Sequence, residues 1–255
     1  MRRTFSVLFA GLILLILSVQ AAPVQSAGSE LQAQTGAAAH SFYLSALFKA
    51  AGQHGIYGAA TDGDNPAKFL RLDLIIHDGE TWWVHAQTKT DFSGRYAFTN
   101  APALSPGEVY FVRFLNGENL HRVRIWETRK LTEYTAGSAV DLGFFDVQAI
   151  KQISPVPVET VNLPETFFWE MRPDTPGASY EFELADLNPE HEWSFFAEVG
   201  AADHYTLETL PQNFYPGMLY YWCVWIHTLD GGRGASMYRT LFFYFGPRGA
   251  FQAQV

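Results

Sequence analysis

Residues 70–76 read Leu-Arg-Leu-Asp-Leu-Ile-Ile, with apolar side chains at every second position: Leu70, Leu72, Leu74 and Ile76 on one side, Arg71, Asp73 and Ile75 on the other. A strand turns successive side chains to opposite faces, so this period offers one face to a core. The period recurs. Trp82, Val84, Ala86 and Thr88 alternate with Trp83, His85, Gln87 and Lys89, and Tyr96/Phe98, Tyr110/Val112/Phe114 and Val123/Ile125 follow. Between the runs stand Asp78-Gly79, Ser93-Gly94, Pro106-Gly107 and Asn116-Gly117, pairs that favour tight turns. Many short strands without an intervening helical stretch predict an antiparallel sandwich.

A second set follows residues 151–161, Lys-Gln-Ile-Ser-Pro-Val-Pro-Val-Glu-Thr-Val, whose alternate prolines read as an extended linker. Phe167 and Trp169 alternate; Tyr180, Phe182 and Leu184 oppose Glu181 and Glu183; Tyr220, Trp222, Val224 and Ile226 oppose Tyr221, Cys223 and Trp225; Leu241, Phe243 and Phe245 close the set. The expected fold class is all-β: two tandem antiparallel β-sandwiches, immunoglobulin-like or prealbumin-like, over 53–150 and 162–246, with a tail over 247–255. Tyr96, Phe98, Trp169, Tyr220 and Trp222 are the expected core.

The chain opens with basic Met1-Arg2-Arg3, a mostly apolar run from Phe5 to Val19 and a small-x-small triplet, Val19-Gln20-Ala21. This is the pattern of a signal peptide over 1–21, so the expected location is secreted, extracellular or at the cell surface. Residues 22–52 are rich in Ala, Gln, Ser and Gly and read as a flexible linker; within them Ser41 to Lys49 is apolar but too short to assign. Losing Arg2 and Arg3 leaves 15 basic and 26 acidic residues, a net charge of −11. That balance argues against a nucleic-acid or anionic-membrane partner, and no later segment is apolar enough to span a membrane. With one cysteine, Cys223, no intrachain disulfide forms, and hydrophobic burial must stabilise the fold.

Two resemblances add to this. Gly55-Ile56-Tyr57-Gly58, Thr90-Asp91-Phe92-Ser93-Gly94-Arg95-Tyr96-Ala97-Phe98, Pro106 to Val112 and Val140-Asp141-Leu142-Gly143 resemble the carboxypeptidase regulatory-like and Cna-B-like family of prealbumin-type sandwiches. Thr166-Phe167-Phe168-Trp169, Pro176 to Tyr180, Pro216 to Trp222 and Asp230 to Gly234 resemble fibronectin type III-like modules of exported microbial proteins, with the 216–222 stretch as the strand carrying a tyrosine corner. Both resemblances imply spacers, scaffolds or adhesive units, and neither implies catalysis.

The residues point the same way. Asp91 and Ser93 before Gly94 suit a turn, in which the carboxylate takes backbone N–H groups and glycine supplies a positive φ. A calcium site is the alternative, with Asp62 and Asp91 as weak candidate ligands, but calcium asks for six to eight oxygens and no D-x-D-x-D-G run is present. The eight histidines show no HxxxH or HExxH spacing, and there is no G-x-S-x-G. Glu181 and Glu183 fall on the water-facing side of one strand, and a glycosidase needs carboxylates facing across a cleft. The chain is therefore expected not to be an enzyme and to need no cofactor. The aromatic residues off the core parity are the functional lead: Trp83, and Tyr221 and Trp225 with Phe242 and Tyr244 if their strands neighbour each other. An exposed aromatic patch marks an interaction surface or a sugar platform. The expected function is a non-catalytic scaffold, adhesion or protein-interaction unit with a protein or cell-envelope partner; the alternative is a carbohydrate-binding accessory protein using those aromatics on a glycan.

Overall fold

The computed structural model describes residues 54–117, 119–157, 159–173, 175–186, 193–215 and 218–243. The expected signal peptide, the 22–52 linker, Tyr244 and the 247–255 tail lie outside them. The described residues are all-β, as the alternation predicts, with strands and no helix.

The N-terminal half holds eight strands: β1 (Gly55–Asp62), β2 (Asn65–Pro66), β3 (Arg71–His77), β4 (Trp82–Lys89), β5 (Arg95–Phe98), β6 (Val109–Leu115), β7 (Ile125–Glu127) and β8 (Ala139–Asp146). β1 pairs antiparallel with β2 and β5 and parallel with β8. A second layer runs β7-β6-β3-β4. Ile56 and Tyr96 from the first layer and Leu72, Leu74, Tyr110 and Val112 from the second are buried in one core. The layers meet where the Trp126 indole of β7 stacks on Phe145 of β8, centroids 5.9 Å apart and nearly parallel.

The C-terminal half holds β9 (Gln152–Ser154), β10 (Glu159–Val161), β11 (Glu165–Trp169), β12 (Ser179–Asp186), β13 (Ser194–Gly200), β14 (His204–Leu207), β15 (Leu219–His227), β16 (Arg233–Ala235) and β17 (Arg239–Phe243). β14-β11-β9 form one layer. β13, β12, β15, β17 and β10 pair in turn in the other. Phe167 of β11 bridges the layers, its ring 4.7 Å from Phe182 on β12 and 5.2 Å from Trp222 on β15. Trp169, Tyr220 and Trp222 are buried here, as Tyr96 and Phe98 are in the first half. The Tyr220 hydroxyl accepts from the Tyr215 N–H at 2.6 Å and donates to the Tyr215 carbonyl at 3.0 Å, tying the chain before β15 to its own strand.

Within the stretch 151–161, residues 152–154 and 159–161 are extended and hydrogen-bonded into sheets. β9 pairs with β11 and β10 with β17, so these residues form edge strands of the C-terminal half. Edge positions are where proline is tolerated.

The halves are joined through their backbones. β16 returns from β15 in a hairpin and pairs on its other side with β7, with Arg233 opposite Glu127 and Ala235 opposite Ile125. One ten-stranded sheet therefore runs through both halves. Gly234 permits the fit: a Cβ there would stand 2.3 Å from the Trp126 ring. On the opposite layer Arg172, just past β11, donates to the carboxylate of Asp146 at the end of β8, and both are buried.

Candidate interaction surface

Cross-strand partners share a face, so the register defines the outer face of the long sheet. Gln87, Asp73, Arg113, Glu127, Arg233 and His227 stand opposite one another in turn from β4 to β15. Gln87 donates to Asp73 at 2.9 Å, Arg233 Nε donates to Glu127 at 2.7 Å, and His227 lies 3.3 Å from Glu181. Carboxylates and guanidinium groups thus alternate across the joint, an arrangement that stabilises neighbouring strands.

Beside this row lies a packed cluster. The Tyr221 ring is 4.0 Å from Tyr238. The Arg124 guanidinium sits 4.0 Å from the Tyr238 ring centre and 5.6 Å from that of Trp225, whose other neighbour is Arg233 at 5.2 Å. Glu183 accepts from the Trp225 indole at 2.7 Å and from the Cys223 thiol at 3.0 Å. The expected water-facing position of Glu183 is thus corrected: it is buried, because aromatic and arginine side chains cover this part of the outer face. Burial, and then the charge of Glu183, push the Cys223 thiol well above its ordinary value, so it is a proton donor and a poor nucleophile. Burial likewise raises Tyr238.

The structure separates the aromatic residues singled out in the sequence. Tyr221 and Trp225 are half-buried in this cluster. Phe242 stands opposite Leu219 in the backbone register, which makes β15 and β17 neighbours. Trp83 lies five strand steps away on β4, about 24 Å at the usual spacing. The face expected for Trp83 also changes. A bulge in the β3–β4 pairing puts Val84 opposite Ile75 after Ala86 opposite Leu74. The slip turns Trp82 and Val84 to the outer face and sets Trp83 opposite Ile76, on the side of Leu72 and Leu74, where strict alternation places it with Gln87 and Lys89.

β4 is an edge strand, pairing among the described residues with β3 alone. Trp82, Trp83 and Val84 at its start are all exposed, and Trp82 stacks over the Arg113 guanidinium at 4.1 Å. Alternation does not single out Trp82, Arg124 or Tyr238. It puts Trp82 on the core side, and the other two lie in short irregular segments that meet each other from different halves.

The candidate calcium ligands are placed apart in function. Asp62 is paired with Arg122 at 2.8 Å. One Asp91 oxygen takes the Ser93 N–H, the Ser93 hydroxyl and the Arg95 N–H at 2.8–2.9 Å. Partial burial opposes its ionisation, but these hydrogen bonds prevail and hold the carboxyl below its ordinary value. Among the described residues no group of three or more His, Cys, Asp or Glu side chains is placed to hold a metal ion.

A cleft of about 240 Å³ opens beside the joint, lined by Trp126, Phe144, Phe145 and Asp146 of the first half and by Thr228 and Leu229 of the second. No protein-family model matches the chain, and no curated protein matches it significantly.

Proposed function

We propose that the chain is an exported, non-catalytic interaction module built from two tandem sandwiches, the first prealbumin-like and the second fibronectin type III-like, which binds a protein of the cell envelope through the free edge of β4. The observation that carries this reading is the run Trp82-Trp83-Val84, exposed on a strand that among the described residues pairs with β3 alone. Exposed apolar surface of this kind marks interaction sites, and an open edge offers backbone donors and acceptors to a partner strand. The layer order of the second half and the Tyr220–Tyr215 hydrogen bonds support its assignment to immunoglobulin-like sandwiches. The shared sheet supports a scaffold role, since it carries the β4 edge on a stiff body. Three of the groups that catalysis could use have partners or cover within the fold: Glu183 accepts from two donors, Cys223 is buried, and His204 pairs with Asp203 at 2.8 Å.

Among the described side chains the carbohydrate-binding reading rests on Trp83, because Tyr221 and Trp225 are half-buried in the cluster beside Glu183. A pull-down of residues 22–255 on cell envelopes and on insoluble polysaccharides separates the two. Retention on envelopes, lost in a Trp82→Ala/Trp83→Ala double variant and after protease treatment of the envelopes, is the expected result. Retention on a purified polysaccharide supports the glycan reading, and unchanged envelope retention by the double variant contradicts both.

A further inference from the structure

Far along β4 from Trp82, two loops form a rigid aromatic point. Phe69, just before β3, has φ of 57°, a left-handed conformation that an aromatic residue seldom adopts. Backbone strain of this kind persists only when the surroundings impose it, and it gathers at functional sites. Here the surroundings do impose it. Thr90, buried between the loops, donates its hydroxyl to the Ala67 carbonyl and accepts the Leu70 N–H at 2.8 Å, while the Phe69 N–H reaches the Thr90 carbonyl at 3.1 Å. On the other side the Asp91 carboxylate closes the Asp91–Arg95 turn, with Gly94 at φ 76° against the Ala60 carbonyl.

The result of this ordering is an exposed hydrophobic pair. Phe69 is 55% exposed and Phe92 is 73% exposed, and their rings meet edge to face at 4.7 Å. Burying these rings in the protein would lower their free energy, yet the loops hold them outward. The charges around them differ from those of the whole chain. Segments 68–73 and 89–95 carry four cations, Lys68, Arg71, Lys89 and Arg95, and two carboxylates, Asp73 and Asp91. Arg71 and Lys89 stand directly opposite each other across β3 and β4, a like-charge placement that weakens a strand pair. The chain's net charge of −9 counts little at this point, because salt screens charges more than about 8 Å away.

The geometry points to a membrane-docking tip: Phe69 and Phe92 enter the interfacial layer of an anionic lipid surface while Lys68, Arg71 and Lys89 meet its headgroups. Aromatic rings with flanking long cations suit this boundary, where the ring is buried and the charged end stays wet. The composition argument concerns the net charge, whereas this proposal rests on the cations that flank Phe69 and Phe92.

The test is sedimentation of residues 22–255 with vesicles of phosphatidylglycerol and phosphatidylcholine, compared with phosphatidylcholine alone. The expected result is binding to the anionic vesicles that weakens as salt is raised and falls about tenfold or more in Phe92→Ala. Phe69→Gly, which suits a positive φ, is expected to bind as weakly while melting no lower than the parent chain, so lost binding is not lost folding. Lys68→Glu/Lys89→Glu is expected to abolish the preference for anionic lipid. No binding to either vesicle, or binding unaffected by Phe92→Ala, would overturn the proposal. Retention by a protease-sensitive envelope component that requires Phe92, without vesicle binding, would also overturn it and assign the tip to a protein.

Discussion

The Arg172 guanidinium donates to the Asp146 carboxylate across the two halves of the protein, and both side chains are almost wholly buried. Arg172 also donates to the carbonyls of Asp146 at 3.0 Å and Gln148 at 3.2 Å, while the other Asp146 oxygen takes the N–H groups of Gly63 and Gln148 at 2.9 and 3.0 Å. The pair is therefore hydrogen-bonded on every side, which is the condition under which a buried charge pair is tolerated.

Removing one member leaves the other charged and buried. Arg172→Ala is expected to cost about 3–5 kcal/mol, read from chemical denaturation. A loss below about 1 kcal/mol, the range of surface pairs, would show that water reaches Asp146.

Gly234 is the second close contact of the joint. Gly234→Ala drives a methyl group into the Trp126 ring and is expected to cost about 1–3 kcal/mol and to separate the thermal transition into two. A single transition at the parent temperature would mean that β16 and β7 adjust without loss.

Within the C-terminal core, Trp222→Ala removes the ring against which Phe167 packs at 5.2 Å. The expected cost is about 3–5 kcal/mol, for Trp169→Ala as well, measured by denaturant midpoint. Tyr220→Phe keeps the packing and deletes both bonds to Tyr215, and is expected to cost about 1–3 kcal/mol.

Asp91 sets a pH dependence. Its folded carboxyl titrates below its unfolded value, so its contribution is full above the unfolded pKa, about 4, and is lost as pH falls through the folded one. Asp91→Asn is expected to melt below the parent chain at neutral pH, with the gap closing in acid below about pH 4. A gap that stays constant into acid would exclude ionisation of Asp91 as its source.

The strand pattern was legible because burial follows the period of the backbone. Tyr220, Trp222, Val224 and Ile226 alternate in sequence and are all fully buried along β15. The turn at Asp91 was equally local, since its donors lie within four residues. What sequence could not show depends on distant partners. Arg233-Gly234-Ala235 reads as the end of a hairpin, and its pairing with Ile125–Glu127 comes from more than a hundred residues away. Glu183 has the alternation of a wet residue and is buried beneath the Trp225 indole that donates to it, beside which the first half places Arg124. The β4 bulge exchanged the faces of Trp82 and Trp83 through one extra residue, which leaves no mark in an apolar-polar pattern. The strain at Phe69 is imposed by Thr90, 21 positions later in the chain, and no residue type announces it.

The β7–β16 pairing joins both halves into one sheet. Native-state hydrogen exchange at the amides of residues 125–127 and 233–235 measures how firmly it holds. These amides are expected to exchange as slowly as those of β6 and β15, opening only with global unfolding. Exchange orders of magnitude faster, at the rate of the exposed turns, would contradict it and leave two separate sandwiches in loose contact.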